Sequence, residues 1–427
     1  MRKIMALAAI LLAAAYIPAA GITIEECVRK ARDNYPLISK YGIVEATSDI
    51  ELSDINKSWF PRATLYGQVT AQNAVPSFPE SLRGMLAQTG HSMEGLGKVQ
   101  YKAGLDISQT VWDGGNSRAQ RELQRRQADT ERARLDVELY AVRQKVENLY
   151  FAILLTEEQI AQSRATLEVM SANLARMQAM YRNGVAMQSD VSMVEAGMLS
   201  LKQNIATAFH ALAGYRRVLG LYIGENIDTE TLEKPTPELP QTGSSDRPEL
   251  HLLAQRTAAT EAAMRLSDTS TMPRIGLFAQ TYYGYPGFDY FSSMTDRDMS
   301  FNILAGIKVS WNIDALYTRR NTRHRSQLEA DAISTERETF LFNTGMQTAA
   351  QTEAIAGLRE VMKDDRRIIE LRKDVRRAAE SQLANGIIDA TDLLAKINDE
   401  SNAALTARYH DIQLLQEIYN LKYTLNR

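Results

Sequence analysis

The chain has one cysteine, Cys27, among 427 residues, so no internal disulfide can brace it. Its five histidines, His91, His210, His251, His324 and His410, are scattered, and none pairs at metal-ligand spacing. No glycine-rich phosphate loop occurs. Catalysis, a bound metal and a cofactor therefore find little support in the residues, and no enzyme is expected. The formal net charge is only −3, and a balance this even argues against nucleic acid as a partner, which would call for a clustered cationic surface. Residues 1–20 carry Arg2 and Lys3, an apolar run from Ile4 to Tyr16, then Pro18-Ala19-Ala20, the pattern of a secretory signal. Cys27 follows Glu25-Glu26 and not a small-residue lipobox, so no lipid anchor is expected. Beyond the signal no apolar run is long enough for a membrane helix. If the mature chain crosses a membrane, only a β-barrel remains.

What the chain does have is an internal repeat. Asn34-Tyr35-Pro36-Leu37 opens a helical stretch that ends at Trp59-Phe60-Pro61-Arg62. Asp246-Arg247-Pro248-Glu249-Leu250 opens another, which ends at Thr271-Met272-Pro273-Arg274. Pro36 to Pro248 and Pro61 to Pro273 are the same 212-residue shift. Asn183-Gly184 with Ser189-Asp190-Val191 returns as Asn385-Gly386 with Thr391-Asp392-Leu393, at a shift of 202. Each copy reads helix, strand, strand, very long helix, turn, helix. The organisation expected is a first repeat over 21–224, a proline-rich linker over 225–245 and a second repeat over 246–427.

The strand segments alternate. Ala63, Leu65, Gly67 and Val69 are apolar or small, while Thr64, Tyr66, Gln68 and Thr70 lie between them. Val99, Tyr101, Ala103, Leu105 and Ile107 alternate with Gln100, Lys102, Gly104, Asp106 and Ser108, and copy two repeats the pattern at 275–279 and 301–312. Such strands present one greasy and one wet face. A strand pair on a soluble core would do the same, but about a dozen residues per strand, roughly 40 Å, suits a tilted membrane strand better. Aromatic residues gather at both ends: Tyr282, Tyr283, Tyr285, Phe288, Tyr290 and Phe291 at one, Trp59, Phe60, Trp112 and Trp311 at the other, as in membrane-barrel girdles. Four strands cannot close a barrel. Two copies would give eight strands and three would give twelve, and alternation alone does not choose.

The helices are more regular. Leu135, Leu139, Val142, Val146, Leu149, Ile153, Thr156 and Ile160 begin a 4-3-4-3 ladder that runs to Tyr181, and Val191 to Tyr222 forms a second. These are the arms of an antiparallel coiled-coil hairpin, the first spanning Asn116 to Arg182. Copy two repeats it from about Leu316 to Ala384 and from Asp389 onward, less cleanly.

Some residues invite a functional reading. Asp113, Gly114 and Gly115 form a strand-to-helix turn. Arg118, Arg121, Arg125 and Arg126 open one long helix, and Arg319, Arg320, Arg323 and Arg325 open its counterpart, against the helix dipole. Phospholipid phosphates are one reading of these arginines, a solvated face the other. At the hairpin turns, hydroxyls or carboxylates of Ser189, Asp190, Thr391 and Asp392 are placed to cap helix starts. Where several hairpins converge, Asp389, Asp392 and Asp190 would also form a negative ring that narrows a pore and attracts cations.

Taken together, these features resemble the TolC-type outer-membrane efflux family across essentially the whole mature sequence. The resemblance rests on Asn34-Tyr35-Pro36-Leu37, Trp59-Phe60-Pro61, Val111-Trp112-Asp113-Gly114-Gly115 and both turn motifs, in this order. It implies a mixed α and β membrane protein: a long coiled-coil α-barrel plus four strands per protomer, with a homotrimer closing a 12-stranded outer-membrane barrel in a Gram-negative bacterium. It further implies docking to a periplasmic adaptor and an inner-membrane transporter of RND, ABC or MFS type. By that likeness Asn183, Gly184, Val185, Asn385, Gly386 and Ile387 sit at adaptor-facing tips, and Asp392 matches an aperture aspartate. Ala395 stands where the family pattern often carries a second acid, and Asn312-Ile313-Asp314 replaces the Asp-Gly-Gly turn in copy two. The expected function is an exit duct gated at its tips. The rival is a periplasmic scaffold or adaptor that never spans a membrane.

Overall fold

A computed structural model describes residues 21–88, 95–236, 238–240, 243 and 245–427; the signal segment expected at 1–20 lies outside the described residues. The first copy runs α1 (Ile24–Asn34), a 3-10 turn (Pro36–Ser39), α2 (Lys40–Lys57), β1 (Arg62–Ala71), α3 (Glu80–Gln88), β2 (Val99–Trp112), α4 (Asn116–Arg182) and α5 (Gln188–Ile223). The second runs α6 (Pro248–Thr269), β3 (Arg274–Tyr285), α7 (Tyr290–Thr295), β4 (Ser300–Ser310), α8 (Asp314–Ala384) and α9 (Ala390–Leu425). Thr23 caps α1 by accepting the Glu26 N–H at 3.2 Å. The break expected near Pro36 is the 3-10 turn, because proline cannot supply the N–H that would continue α1. The two inter-strand helices, α3 and α7, were not expected. They are 9 and 6 residues long, too short for the seven-residue ladder that marks the long helices.

The chain divides into two compact units. One comprises residues up to Tyr41 with Arg132–Leu252 and Glu336–Arg427, and is helical. Its largest core gathers Ile24, Cys27 and Ala31 of α1 with Val146, Tyr150 and Ile153 of α4, Leu219 of α5 and Tyr419 of α9. Cys27 is fully buried there, and burial pushes its thiol pKa up to about 12. The linker is bound into this unit rather than hanging free. Arg216 donates to the Ile227, Asp228 and Glu230 carbonyls at 2.8–2.9 Å and pairs with Glu157 at 2.5 Å. Ile22 bridges Leu232, and the Tyr150 hydroxyl lies 2.8 Å from the Ile22 carbonyl and 2.5 Å from that of Glu233.

The other unit, Gly42–Glu131 with Leu253–Thr335, contains the sheet. Its strands lie in the order β1-β2-β3-β4, antiparallel throughout. Among the described residues β1 pairs only with β2 and β4 only with β3, so both edges carry unpaired backbone groups.

Candidate functional site

Cross-strand pairing sorts the sheet into two faces, because directly opposed residues point the same way. Leu65 opposes Leu105, Leu105 opposes Thr281, and Thr281 opposes Ile303; Ala63, Ile107, Ala279 and Ala305 form a parallel row. This apolar face is open: Leu65 is 83% exposed, Val69 74%, Ile307 70% and Val309 67%. Covering aliphatic side chains this bare would gain about 25 cal/mol per Å² of apolar area removed from water, which favours an apolar neighbour on this face.

The opposite face carries every charged side chain of the four strands. Thr64 opposes Asp106, Gln68 opposes Lys102, Arg62 opposes Ser108 and Arg274 opposes Ser310, with Lys308 across from Gly276. Tyr66 and Tyr282 flank Gly104, and the Lys102 ammonium lies 5.8 Å and 5.5 Å from their ring centres. Arg62, Arg274 and Lys308 line one cleft of about 240 Å³ together with Ser58, Ser108, Ser310 and Phe278. Sequence reasoning did not single out these cations. The repeated Pro-Arg pair, Pro61-Arg62 and Pro273-Arg274, is the signal the sequence offers, and by itself it marks only where each helical stretch ends.

Where β2 ends, the Asp113 carboxylate accepts from the Gly115 N–H (2.9 Å), the Ser117 N–H (2.6 Å) and the Ser117 hydroxyl (2.5 Å). Burial raises the Asp113 pKa, but these three donors outweigh it and hold the carboxyl below its usual range. Its contribution to stability is thus present above the unfolded pKa and fades as pH falls through the folded one. Gly114 has φ +69°, and a Cβ there would lie 2.6 Å from that of Met272. At the second junction Trp311 Nε1 donates to the Thr271 carbonyl at 3.0 Å, and Asp268 accepts from Arg319 (3.1 Å) and Arg323 (2.7 Å). Hydrogen bonds from Arg323, then from Arg319, lower the Asp268 pKa. Half of the eight arginines thus serve the chain itself: Arg121 donates to Asn56, Arg126 pairs with Glu122, and Arg319 and Arg323 hold Asp268. Arg118, Arg125, Arg320 and Arg325 are exposed.

The hairpin tips lie in the helical unit. At the first, Gly184 (φ +74°) lets Val185 N–H reach back to the Met180 carbonyl at 2.9 Å. At the second, Gly386 (φ +70°) lets Ile387 N–H reach the Gln382 carbonyl at 2.9 Å. Asn183, Val185, Asn385 and Ile387 are all exposed. The tip acids divide their work. Asp190 accepts the Met187 N–H at 2.9 Å, while Asp389 is the N-cap of α9 and accepts the Asp392 N–H at 2.9 Å. The hydroxyls expected to cap do not: Thr391 lies against Met193 Sδ at 3.0 Å, and the cap before α5 is Met187, not Ser189. Beneath the tips, Met177, Val191, Val194 and Met198 pack with Ala379, Leu383, Leu393 and Ile397, joining the two hairpins. Among the described residues no group of three His, Cys, Asp or Glu could hold a metal ion, and no helix is long and apolar enough to cross a membrane.

Comparison with known proteins fits this geometry. Residues 53–224 match the model of the outer membrane efflux protein family. No curated protein matches the chain. Among solved structures, the outer membrane protein VceC of Vibrio cholerae aligns with 94% of this chain and 94% of its own, at TM-score 0.64 and 14% identity. The CmeC outer membrane channel of Campylobacter jejuni aligns with 94% of this chain and 85% of its own (TM-score 0.66, 14% identity). The outer-membrane channel OprN aligns with 94% and 89% (TM-score 0.66, 15% identity). Identities of 14–15% speak for the fold alone, and the likeness in sequence to the outer membrane efflux protein family covers residues 53–224.

Proposed function

We propose that this chain is the outer-membrane exit duct of a tripartite efflux or secretion system, with no catalytic step of its own. The observation that carries the reading is the sheet, apolar and bare on one face, charged on the other, and open at both edges. In lipid an unpaired strand edge has no water to satisfy it, so the sheet becomes stable in a membrane only when copies close it. Three copies close twelve strands, wide enough to leave a lumen lined by the charged face. A second observation supports association between copies. α8 leaves Phe342, Met346, Val361, Ile368, Leu371 and Val375 exposed, at 68%, 53%, 53%, 44%, 47% and 44%. An apolar stripe of that length belongs against another helix.

In this reading the helical arms stand in the periplasm of a Gram-negative bacterium. The exposed tips at Asn183-Gly184-Val185 and Asn385-Gly386-Ile387 meet a periplasmic adaptor, through which an inner-membrane transporter delivers cargo. Asp392, whose carboxylate caps nothing, faces the aperture with Asp389 and Asp190 nearby, and the free arginines beyond the strands meet lipid phosphates. The duplicated element order supports a domain plan of two repeats, 21–224 and 246–427, about a linker at 225–245.

The test is extraction and conductance. The mature chain should leave the outer-membrane fraction only with detergent, run as an oligomer and give discrete conductance steps in planar bilayers. Release by salt alone as a monomer, with no conductance, would support the scaffold reading instead.

A further inference from the structure

We infer that the duct selects anions at the helix-side end of its barrel, so that its cargo class is organic acids rather than cations. This rests on the duct reading. The five charged side chains of the strands all share the polar face, and four of them are cations: Arg62, Lys102, Arg274 and Lys308 against Asp106. Three of the cations converge on the one cleft, where Ser108 and Ser310 stand opposite Arg62 and Arg274 in the sheet. The arrangement is duplicated, since both arginines begin the first strand of their copy and each faces a serine. The copies differ at two charged positions of that face: Asp106 in copy one corresponds to Lys308 in copy two, and Lys102 corresponds to Leu304, so at the helix-side end the second copy has a cation where the first has the only acid.

The chemistry of the cleft favours an anion with an apolar body. Guanidinium and ammonium groups attract carboxylate, sulfonate or phosphate oxygens, serine hydroxyls donate to the same oxygens, and Phe278 offers a ring face. The three cations are exposed, and no carboxylate lines the cleft with them. Strand ends are where such a cluster acts most strongly, because three copies would set three of them around one opening bounded by low-dielectric walls. Rings of arginine and lysine make anion-preferring pores, as rings of acids make cation-preferring ones. The acids at the hairpin tips act in the opposite sense, so a test has to separate the two ends.

The experiment is a reversal-potential measurement in planar bilayers under a potassium chloride gradient. The background is Asp190→Asn/Asp389→Asn/Asp392→Asn, which removes the three tip carboxylates of each copy. In that background the chloride-to-potassium permeability ratio should exceed one. Adding Arg62→Gln, Arg274→Gln and Lys308→Gln should lower it several-fold, whereas Arg62→Lys and Arg274→Lys should leave it near the parent value. Naphthalenesulfonate should block the parent and fail to block the triple glutamine variant. Conductance with the same ratio in parent and glutamine variants, or a parent preferring potassium, overturns the anion site while leaving the duct intact. No conductance from any variant overturns the duct and the inference together.

Discussion

The two hairpin tips share a backbone but differ in what their acids do. Both turn on a glycine with φ near +70° and return an N–H to the preceding helix at 2.9 Å. At the first tip the acid within the helix, Asp190, reaches back to the Met187 N–H. At the second the acid before the helix, Asp389, holds the Asp392 N–H, and the Asp392 carboxylate is left exposed. Each tip therefore uses one half of a capping box, and they use opposite halves. The duplication kept the turn and released one carboxylate from structural duty. Asp392 is that carboxylate.

The largest effect expected from breaking this comparison lies beneath the turns. Leu393→Ala empties a site only 1% exposed and should cost about 3 kcal/mol, with the second tip's amides exchanging fastest by hydrogen–deuterium exchange. Val191→Ala at the matching position of the first tip removes fewer atoms and should cost roughly half as much. Next come Gly184→Ala and Gly386→Ala. Nothing lies within 4 Å of either added Cβ, so the penalty is the left-handed backbone alone, about 1 kcal/mol and the same at both tips by thermal melting. Unequal penalties would mean that the turns are not equivalent. Asp389→Ala removes an N-cap and should cost about 1 kcal/mol. Smallest in stability is Asp392→Asn, expected within about 0.5 kcal/mol of the parent. It should nevertheless weaken block of the channel by divalent cations, and a large melting shift with unchanged block would reverse the division of labour drawn here.

Legibility in the sequence followed the range of the interactions. The long helices were readable because their ladders repeat every seven residues, and α4 runs from Asn116 to Arg182 as the pattern predicts. The two faces of the sheet were readable because alternation is a local property, and pairing kept Leu65, Leu105 and Ile303 in one row. The helix α3 was not, since Glu80–Gln88 is interrupted by Gly84 and too short for its Leu82, Met85 and Leu86 to repeat. Contacts between distant segments were also hidden. No local pattern says that Asp268 will hold Arg319 and Arg323, or that Arg216 will pin the linker. The same limit explains the cleft on the polar face: Arg62, Arg274 and Lys308 are brought together only by strand pairing.

The claim on which the rest depends is that β4 of one copy closes against β1 of the next, and cysteine cross-linking tests it directly. Cys27 is fully buried, so introduced thiols report alone. Leu65→Cys in β1 combined in turn with Ile303→Cys, Ala305→Cys or Ile307→Cys in β4 should, for the register that brings Cα atoms within about 6 Å, oxidise to a ladder ending at three chains. Monomer alone at every pairing, in membranes where the protein is folded, would contradict the account.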